Sequence, residues 1–252
     1  MHDTRTAVVT GAGRGIGREV ALRLSRDGHR VVLTARTARE LTAVAAECPG
    51  PTLAIPADVT AKDAAEEVFA KAEEWGGPVG ILVANAGGAT SAPVARITDE
   101  EWAQALDLNL TAPFRFVRRA IPGMVEAQWG RIVVVASMAA KRGDPYVAAY
   151  TAAKHGVLGL VRSTAAELAG KGVTANAVCP GYVDTPMTER SIELIAARTI
   201  RSEDEARHLL ASRQPIGRLV SPAEVAETVA FCVANAALTG QGINVDGGAV
   251  QS

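Results

Sequence analysis

A tyrosine and a lysine stand four residues apart in the segment Tyr150-Thr-Ala-Ala-Lys154. On a helix, residues at this spacing share a face, so the phenol and the ammonium would lie side by side. A phenol alone is a poor acid or base at neutral pH, because its reference pKa is about 10. An ammonium about 4 Å away, at an effective dielectric constant of about 20, would stabilise the phenolate by roughly 4 kcal/mol. The spacing therefore predicts a pair that lowers the phenol pKa, by about three units at most before desolvation, and moves a proton near neutral pH.

Two further polar residues are candidates for the same chemistry. Ser137 ends the most strongly β-type run of the sequence, where a hydroxyl would face a ligand or steady the phenol; a simple strand cap is the alternative. Asn109 stands inside a helical pattern, where asparagine is a poor choice. It either only bends that helix or also holds a water that links Lys154 to solvent.

The segment Thr10-Gly-Ala-Gly-Arg-Gly-Ile-Gly17 separates the first predicted strand from the first predicted helix. Glycines at positions 11, 15 and 17 allow a sharp turn and a close approach of the backbone to a pyrophosphate. The following helix N-terminus offers unpaired N–H groups and a partial positive charge to the phosphates. The segment therefore predicts a dinucleotide-binding turn.

The elements that must position these residues alternate along the chain. Short β-branched runs cover residues 8–10, 30–34, 53–55, 81–84, 131–136, 173–178 and 242–245. Helical patterns separate them, including 16–27, 65–74, a long stretch at 100–128, and 157–169. We expect one Rossmann-type α/β domain over residues 1–252, a doubly wound parallel sheet of about seven strands with helices on both faces. Residues 186–215 add helical material that the sheet does not require, which indicates a substrate lid.

Several helix starts carry a capping-box pattern, in which a Ser or Thr precedes a Glu by three residues. The pairs are Thr37 with Glu40, Thr98 with Glu101, Ser202 with Glu205, and Ser221 with Glu224.

Composition excludes several classes of function. The 252 residues carry a net charge of −1, which gives no basic footprint for nucleic acid. No apolar run approaches the roughly 18 residues of a membrane-spanning helix. Three scattered cysteines and the histidines His2, His29, His155 and His208 show no metal-ligand spacing. We expect a cytoplasmic protein without a metal site.

Several motifs together resemble the short-chain dehydrogenase/reductase family. The glycine turn has the spacing TGxxxGxG, Asn85-Ala-Gly87 follows the fourth strand, and Pro180-Gly181 with Thr185 follows the sixth. Tyr150 and Lys154 match the family's YxxxK motif. The resemblance covers the whole chain and implies hydride transfer between a nicotinamide cofactor and a carbonyl or alcohol. It implies a tetrad of Asn109, Ser137, Tyr150 and Lys154, and a homotetramer or homodimer.

The choice of cofactor depends on the end of the second strand. A carboxylate there would favour NAD(H), but the sequence has Thr34-Ala35-Arg36. Arg36 and Arg14 could bind a 2′-phosphate, so we expect NADP(H), with NAD(H) as the alternative. Equally, Arg36 could be a solvated charge and Arg14 could stack on the adenine. The residues expected to contact the cofactor are Gly11, Arg14, Gly15, Ile16, Gly17, Arg36, Asp58, Val59, Asn85, Ala86, Gly87, Tyr150, Lys154, Pro180, Gly181, Val183 and Thr185.

Fewer sequence motifs point to the substrate pocket than to the cofactor site. Expected pocket residues are Ser137, Met138, Val147, Tyr150, Tyr182 and Met187. The carboxyl third resembles the 3-oxoacyl-thioester and polyketide ketoreductase branches, which implies reduction of a β-ketoacyl thioester or another bulky or cyclic ketone. The arginines of the lid could receive a phosphopantetheine or CoA phosphate, or form an ordinary solvated surface. The alternatives are an NAD-dependent alcohol or 3-hydroxyacid dehydrogenase, and a non-catalytic nucleotide sensor.

Overall fold

Buried β-branched and aliphatic runs form the strands, and the longer patterns between them form helices. The computed structural model of the protein describes residues 4–251. The strands are Thr6–Thr10 (β1), Arg30–Ala35 (β2), Thr52–Pro56 (β3), Val79–Ala84 (β4), Gly130–Val135 (β5), Val173–Pro180 (β6) and Gly242–Val245 (β7). The helices are Gly15–Arg26 (α1), Ala38–Glu47 (α2), Ala64–Gly76 (α3), Asp99–Leu106 (α4), Ala112–Glu126 (α5), Ala148–Leu168 (α6), Pro186–Arg198 (α7), Glu203–Ser212 (α8) and Pro222–Ala234 (α9).

Within residues 4–251 the seven strands pair in parallel in the order β3-β2-β1-β4-β5-β6-β7. The chain leaves β1 toward one side of the sheet and leaves β4 toward the other, which opens a crevice at their carboxyl ends. Asn85 joins the two ends: its Nδ2 donates to the Thr10 carbonyl, and its backbone N–H donates to Thr10 Oγ1, both at 2.9 Å. The predicted doubly wound sheet is confirmed.

Helices bury the sheet on both faces. Phe116 of α5 and Leu168 of α6 pack in the apolar cluster on one face, and Leu24 of α1 packs in the cluster on the other. Val8 and Val9, adjacent in β1, belong to opposite clusters because successive side chains of a strand point to opposite faces. The core thus holds the carboxyl edge of the sheet as a rigid platform for the crevice.

The stretch predicted as one helix at 100–128 is divided in the structure. A π-helical turn, Asp107–Thr111, separates α4 from α5, and Asn109 at its centre is fully buried. Asn109 Nδ2 donates to the Ala105 carbonyl at 3.0 Å and to the Gly88 carbonyl at 2.9 Å. These bonds compete with regular helical pairing, so the helix predicted to bend at Asn109 is interrupted there by the π turn. The helix that carries Tyr150 also begins earlier than the predicted 157–169, at Ala148.

Three of the four predicted capping boxes form, at Thr98, Ser202 and Ser221. In each, the hydroxyl accepts from the backbone N–H three residues on and the glutamate closes the second bond. The prediction for Thr37 was wrong, because its side chain makes no capping bond. Glu40 instead turns its carboxylate toward Arg14.

No helix in the described part of the chain is long and apolar enough to cross a membrane. Among residues 4–251 no group of three or more His, Cys, Asp or Glu side chains is placed to hold a metal ion, and His2 lies outside that range. All three cysteines, Cys48, Cys179 and Cys232, are free thiols.

Candidate active site

A cleft of ≈ 400 Å³ opens at the carboxyl edge of the sheet, at the crevice between β1 and β4. Most residues predicted from the sequence to bind cofactor or substrate lie on its wall. Those on the wall are Gly11, Arg14, Gly15, Ile16, Arg36, Asp58, Val59, Asn85, Ala86, Gly87, Ser137, Tyr150, Lys154, Pro180, Gly181, Val183, Thr185 and Met187. Tertiary structure therefore gathers motifs from several strand ends into one continuous surface.

The glycine turn fits tightly against the neighbouring strand end. Gly11 and Gly15 have φ angles of +66° and +56°, a region that favours glycine. A Cβ on Gly11 would come within 2.8 Å of Asn85 Nδ2, and a Cβ on the buried Gly17 would collide with the Gly11 carbonyl oxygen. Gly17 therefore lies behind the cleft wall and allows α1 to start close to β1. The N-terminus of α1 faces the cleft, a geometry that accommodates a pyrophosphate.

Tyr150, Lys154 and Ser137 meet at the other end of the cleft. Lys154 Nζ is buried, donates to the Val135 carbonyl at 2.9 Å and lies 5.6 Å from the centroid of the Tyr150 ring. Ser137 Oγ accepts from the Ala139 N–H at 3.1 Å, and its hydroxyl hydrogen remains able to bond outward. Ser137 therefore caps the strand end, as one interpretation of the sequence predicts, and it also lines the cleft; its donation to a substrate stays a prediction.

Burial controls the acidity of this pair. Desolvation lowers the pKa of Lys154 from 10.5 to about 8. Desolvation also raises the pKa of Tyr150 and outweighs the hydrogen bonding with Ser137, which lowers it. The net shift of the Tyr150 pKa is therefore upward, opposite to the direction that the spacing predicts before desolvation, because burial of the phenol outweighs the hydrogen bond with Ser137.

Asn109 lies behind the cleft wall rather than on it. In addition to its two donated bonds, its Oδ1 accepts from the Gly88 N–H at 3.2 Å. A Cβ on Gly87 would meet Asn109 Oδ1 at 3.0 Å and Lys154 Nζ at 3.6 Å, so Gly87 separates the two side chains. Asn109 thus fixes the loop after β4 beside Lys154, and its water-relay role stays a prediction.

The end of the cleft beside β2 and β3 is lined by charged groups. Asp58 Oδ1 accepts from the N–H and hydroxyl of Thr60, at 3.0 and 2.7 Å. These bonds lower the pKa of Asp58, with a smaller contribution from Arg36. Asp58 therefore caps its own turn and keeps a second oxygen for a ligand, and its contact with the cofactor stays a prediction. Arg36 is exposed at the end of β2, and Arg14 pairs with Glu40 at 3.6 Å.

Three predicted substrate residues are not on the cleft wall. Met138 is buried in a short 3₁₀ turn, while Val147 and Tyr182 are half-buried beside the cleft. Tyr182 is held by its neighbours: its hydroxyl oxygen accepts from Arg213 at 3.0 Å, and its backbone N–H donates to Gln214 Oε1 at 2.9 Å. Their contact with a substrate stays a prediction.

Sequence reasoning missed several residues of the cleft wall. Glu40, Gln104, Asp107, Leu108, Thr188 and Arg190 all contribute to it. The sequence pattern assigns Glu40 to a capping box. Gln104 comes from α4, and Asp107 and Leu108 come from the π turn that follows it. A local pattern carries no signal for side chains that a bend or a distant helix brings to the site.

The segment predicted as a lid forms α7 and α8. Ile192, Ala206 and Leu210 join them in a small apolar cluster of their own. Arg207 pairs with Asp184 and with Glu189. Met187 and Arg190 of α7 line the cleft.

The parallel sheet, the glycine turn and the Ser-Tyr-Lys group define a class of nucleotide-dependent oxidoreductases. The chain belongs to the short chain dehydrogenase family, whose sequence profile matches residues 5–194. The family indicated by the sequence motifs is confirmed.

Several bacterial ketoreductases are similar to this chain. A candidate ketoacyl reductase of Streptomyces coelicolor is 41% identical, over 98% of this chain and 97% of that protein. The 3-oxoacyl-acyl-carrier-protein reductase MabA of Mycobacterium bovis is 38% identical, over 97% of this chain and 92% of its own. The crystal structure of a tryptophan variant of actinorhodin polyketide ketoreductase with NADPH superposes with a TM-score of 0.94 at 39% identity. That match covers 99% of this chain and 98% of the other.

Proposed function

We propose that the protein is an NADPH-dependent ketoreductase that reduces an acyl or other bulky ketone to a secondary alcohol. One observation carries the proposal: the Tyr150 phenol, with Lys154 and Ser137 beside it, shares one cleft with the glycine turn of α1. The relatives named above act on ketoacyl groups or are solved with NADPH, which supports both parts of the proposal.

The cleft fits a nicotinamide dinucleotide. The backbone at Gly11 and Gly15 would hold the pyrophosphate, since both glycines line the cleft and have the positive φ angles of a sharp turn before α1. Arg36 would receive a 2′-phosphate and Lys154 the nicotinamide ribose. When bound there, the cofactor supplies the hydride, and the protein must supply the proton.

Tyr150 is suited to supply that proton. Its raised pKa keeps the phenol protonated at neutral pH, the form that a reduction requires. Ser137 would donate a hydrogen bond to the substrate oxygen and orient it toward the phenol. As the proton leaves Tyr150, the Lys154 ammonium would stabilise the phenolate. Over the 5.6 Å from Nζ to the ring centroid, and at an effective dielectric constant of about 20, the attraction is about 3 kcal/mol. Lys154 thus assists Tyr150 chiefly in the transition state, where the negative charge on the phenol develops.

Replacement of the phenol tests the chemistry. We expect Tyr150→Phe to reduce turnover of a ketone by about 10²–10⁴-fold, because the proton donor is lost. NADPH binding, followed by nucleotide fluorescence, should persist. Tyr146→Phe is the matched control, since Tyr146 is 60% exposed and lies off the cleft wall. Full turnover by Tyr150→Phe would contradict the proposal.

We infer an acyl thioester as the substrate class. The open side of the cleft is bordered by α7, where Met187 offers an apolar surface and Arg190 a positive charge. This arrangement suits a ketone on a long chain that ends in a phosphate, and α7 with α8 would act as the lid. A screen of β-keto thioesters, cyclic ketones and diketones with NADPH, and of the alcohols with NAD⁺, tests both the substrate class and the direction. Faster oxidation of alcohols with NAD⁺ would favour the dehydrogenase alternative.

We also propose a homotetramer or homodimer and a cytoplasmic location. Trp102 of α4 and Phe114 of α5 are 42% and 40% exposed on neighbouring helices, a pattern typical of an interface. Light scattering on the purified protein would refute assembly if it gave the monomer mass. The free thiols suit a reducing compartment, and cell fractionation tests that location.

A further inference from the structure

Glu40 reaches the cleft from the first turn of α2. Its Oε1 lies 3.6 Å from Arg14 Nη1, in the glycine turn. A Cβ on Gly13 would stand 2.9 Å from both Glu40 Cβ and Oε2, so the carboxylate lies directly over that turn. Glu40 is therefore a wall of the same cleft region as Arg14 and Arg36.

The helix does not account for this orientation. Where Glu101, Glu205 and Glu224 occupy the same position of their helices, each bonds back to its N-cap residue. Thr37 makes no such capping bond, and the Glu40 carboxylate points instead to the cleft. Glu40 therefore pairs with Arg14 on the cleft wall and does not bond to its N-cap residue Thr37.

The charges around this position oppose one another. Arg14 and Arg36 would attract a phosphate on the adenosine ribose, while Glu40 would repel it and already occupies Arg14. Asp58 Oδ1 accepts both bonds from Thr60, and this carboxylate, like Glu40, would repel a phosphate and accept from a hydroxyl. A ribose 2′-hydroxyl, in contrast, would gain an acceptor from the Glu40 carboxylate.

We propose that Glu40 sets the selectivity between NADP(H) and NAD(H), by competing with the 2′-phosphate for Arg14 and by repelling that phosphate. The inference rests on the proposed use of a nicotinamide dinucleotide with its adenosine ribose at the end of β2. Because of Glu40, the ratio of NADP(H) affinity to NAD(H) affinity is smaller than Arg14 and Arg36 alone would produce. It supplies the acid that the sequence lacks directly after β2, from a helix that follows.

The expected change follows from the charge of the phosphate monoester, which is close to −2 at neutral pH. Glu40 and Arg14 are partly exposed, with side-chain exposures of 35% and 51%, so solvent and salt screen the interaction. With an effective dielectric constant between about 20 and 80, loss of one nearby carboxylate should tighten NADPH binding by about three- to tenfold.

The test compares Glu40→Gln with Glu47→Gln. Glu47 ends the same helix and pairs with Arg18 outside the cleft, so it matches the change of charge and the loss of an ion pair. NADPH and NADH are titrated by fluorescence against both variants and the unchanged protein, and adenosine 2′,5′-bisphosphate and AMP compete in a second series. We expect Glu40→Gln to tighten binding of NADPH and of the bisphosphate, to leave NADH and AMP unchanged or weaker, and Glu47→Gln to alter neither ratio.

Salt separates this charge effect from a structural one. Added KCl should bring the NADPH-to-NADH affinity ratios of Glu40→Gln and the unchanged protein together, because screening removes the repulsion. Glu40→Ala should move the ratio in the same direction as Glu40→Gln. Equal changes for both nucleotides, or weaker NADPH binding, would overturn the inference. Failure of the unchanged protein to bind either nucleotide would instead refute the proposed function.

Discussion

Lys154 carries a stability cost that can be measured against pH. The lysine is only 4% exposed, and burial lowers its pKa from 10.5 to about 8. A shift of about 2.5 units corresponds to roughly 3 kcal/mol against the charged form at neutral pH. The hydrogen bond from Nζ to the Val135 carbonyl stabilises the folded state by about 1.5–3 kcal/mol and so offsets much of this penalty. We therefore expect Lys154→Met to change the free energy of unfolding at pH 7 little, or to raise it by about 1 kcal/mol, while turnover is lost.

The pH dependence of the difference is the sharper measurement. Between pH 8 and 10.5 the unfolded chain holds a proton on Lys154 that the folded protein has lost, so the folded state gains stability as pH rises. With those two pKa values, the gain between pH 7 and pH 9 is about 1.4 kcal/mol. Lys154→Met lacks this gain, so its stability relative to the unchanged protein should fall by that amount over the interval.

The assay is urea unfolding of the unchanged protein and Lys154→Met at pH 7 and pH 9, followed by circular dichroism. Lys171→Met is the matched control, because Lys171 is exposed and off the cleft wall. Other groups that titrate in this interval cancel in the difference between proteins. Parallel pH profiles for the unchanged protein and Lys154→Met would refute the view that burial holds this lysine at a lowered pKa.

Two further predictions concern the ends of the cleft. Arg36→Ala should weaken NADPH binding by about ten- to a hundredfold, the value of a charge-assisted bond to phosphate, with little change for NADH; equal losses measured by fluorescence titration would contradict the assignment. Gln214, 1% exposed, accepts from the Tyr182 N–H at 2.9 Å and donates to the carbonyls of Tyr182 and Arg218 at 3.2 and 2.6 Å. Gln214→Leu leaves the Tyr182 N–H and the Arg218 carbonyl unpaired, whereas the Tyr182 carbonyl keeps its bond from the Val220 N–H at 2.9 Å. The substitution should therefore lower the free energy of unfolding by about 2–4 kcal/mol and raise KM for the ketone by loosening the turn before α7. Unchanged stability in urea would show that the turn does not need this side chain.

Local spacing explains why much of the site was predictable. The four-residue spacing of Tyr150 and Lys154 places both on one face of any helix, whatever surrounds them. The glycines at 11 and 15 are required by their own backbone angles, and a strand followed by such a turn and a helix forms over a short stretch of chain. Alternation of β-branched runs with helical patterns limits the chain to a parallel, doubly wound sheet.

The sequence by itself therefore determined the fold class and the family, and it supplied the candidates for the reactive side chains. Tertiary structure alone decided three contacts between distant parts of the chain. Asn109 bonds with Gly88, Glu40 pairs with Arg14 and forms no capping box, and Gln214 accepts from the Tyr182 N–H. It also decided the direction of the Tyr150 pKa, since desolvation depends on every element packed around the phenol. Contacts between residues distant in the chain, and the loss of water they cause, leave no trace in the spacing of a motif.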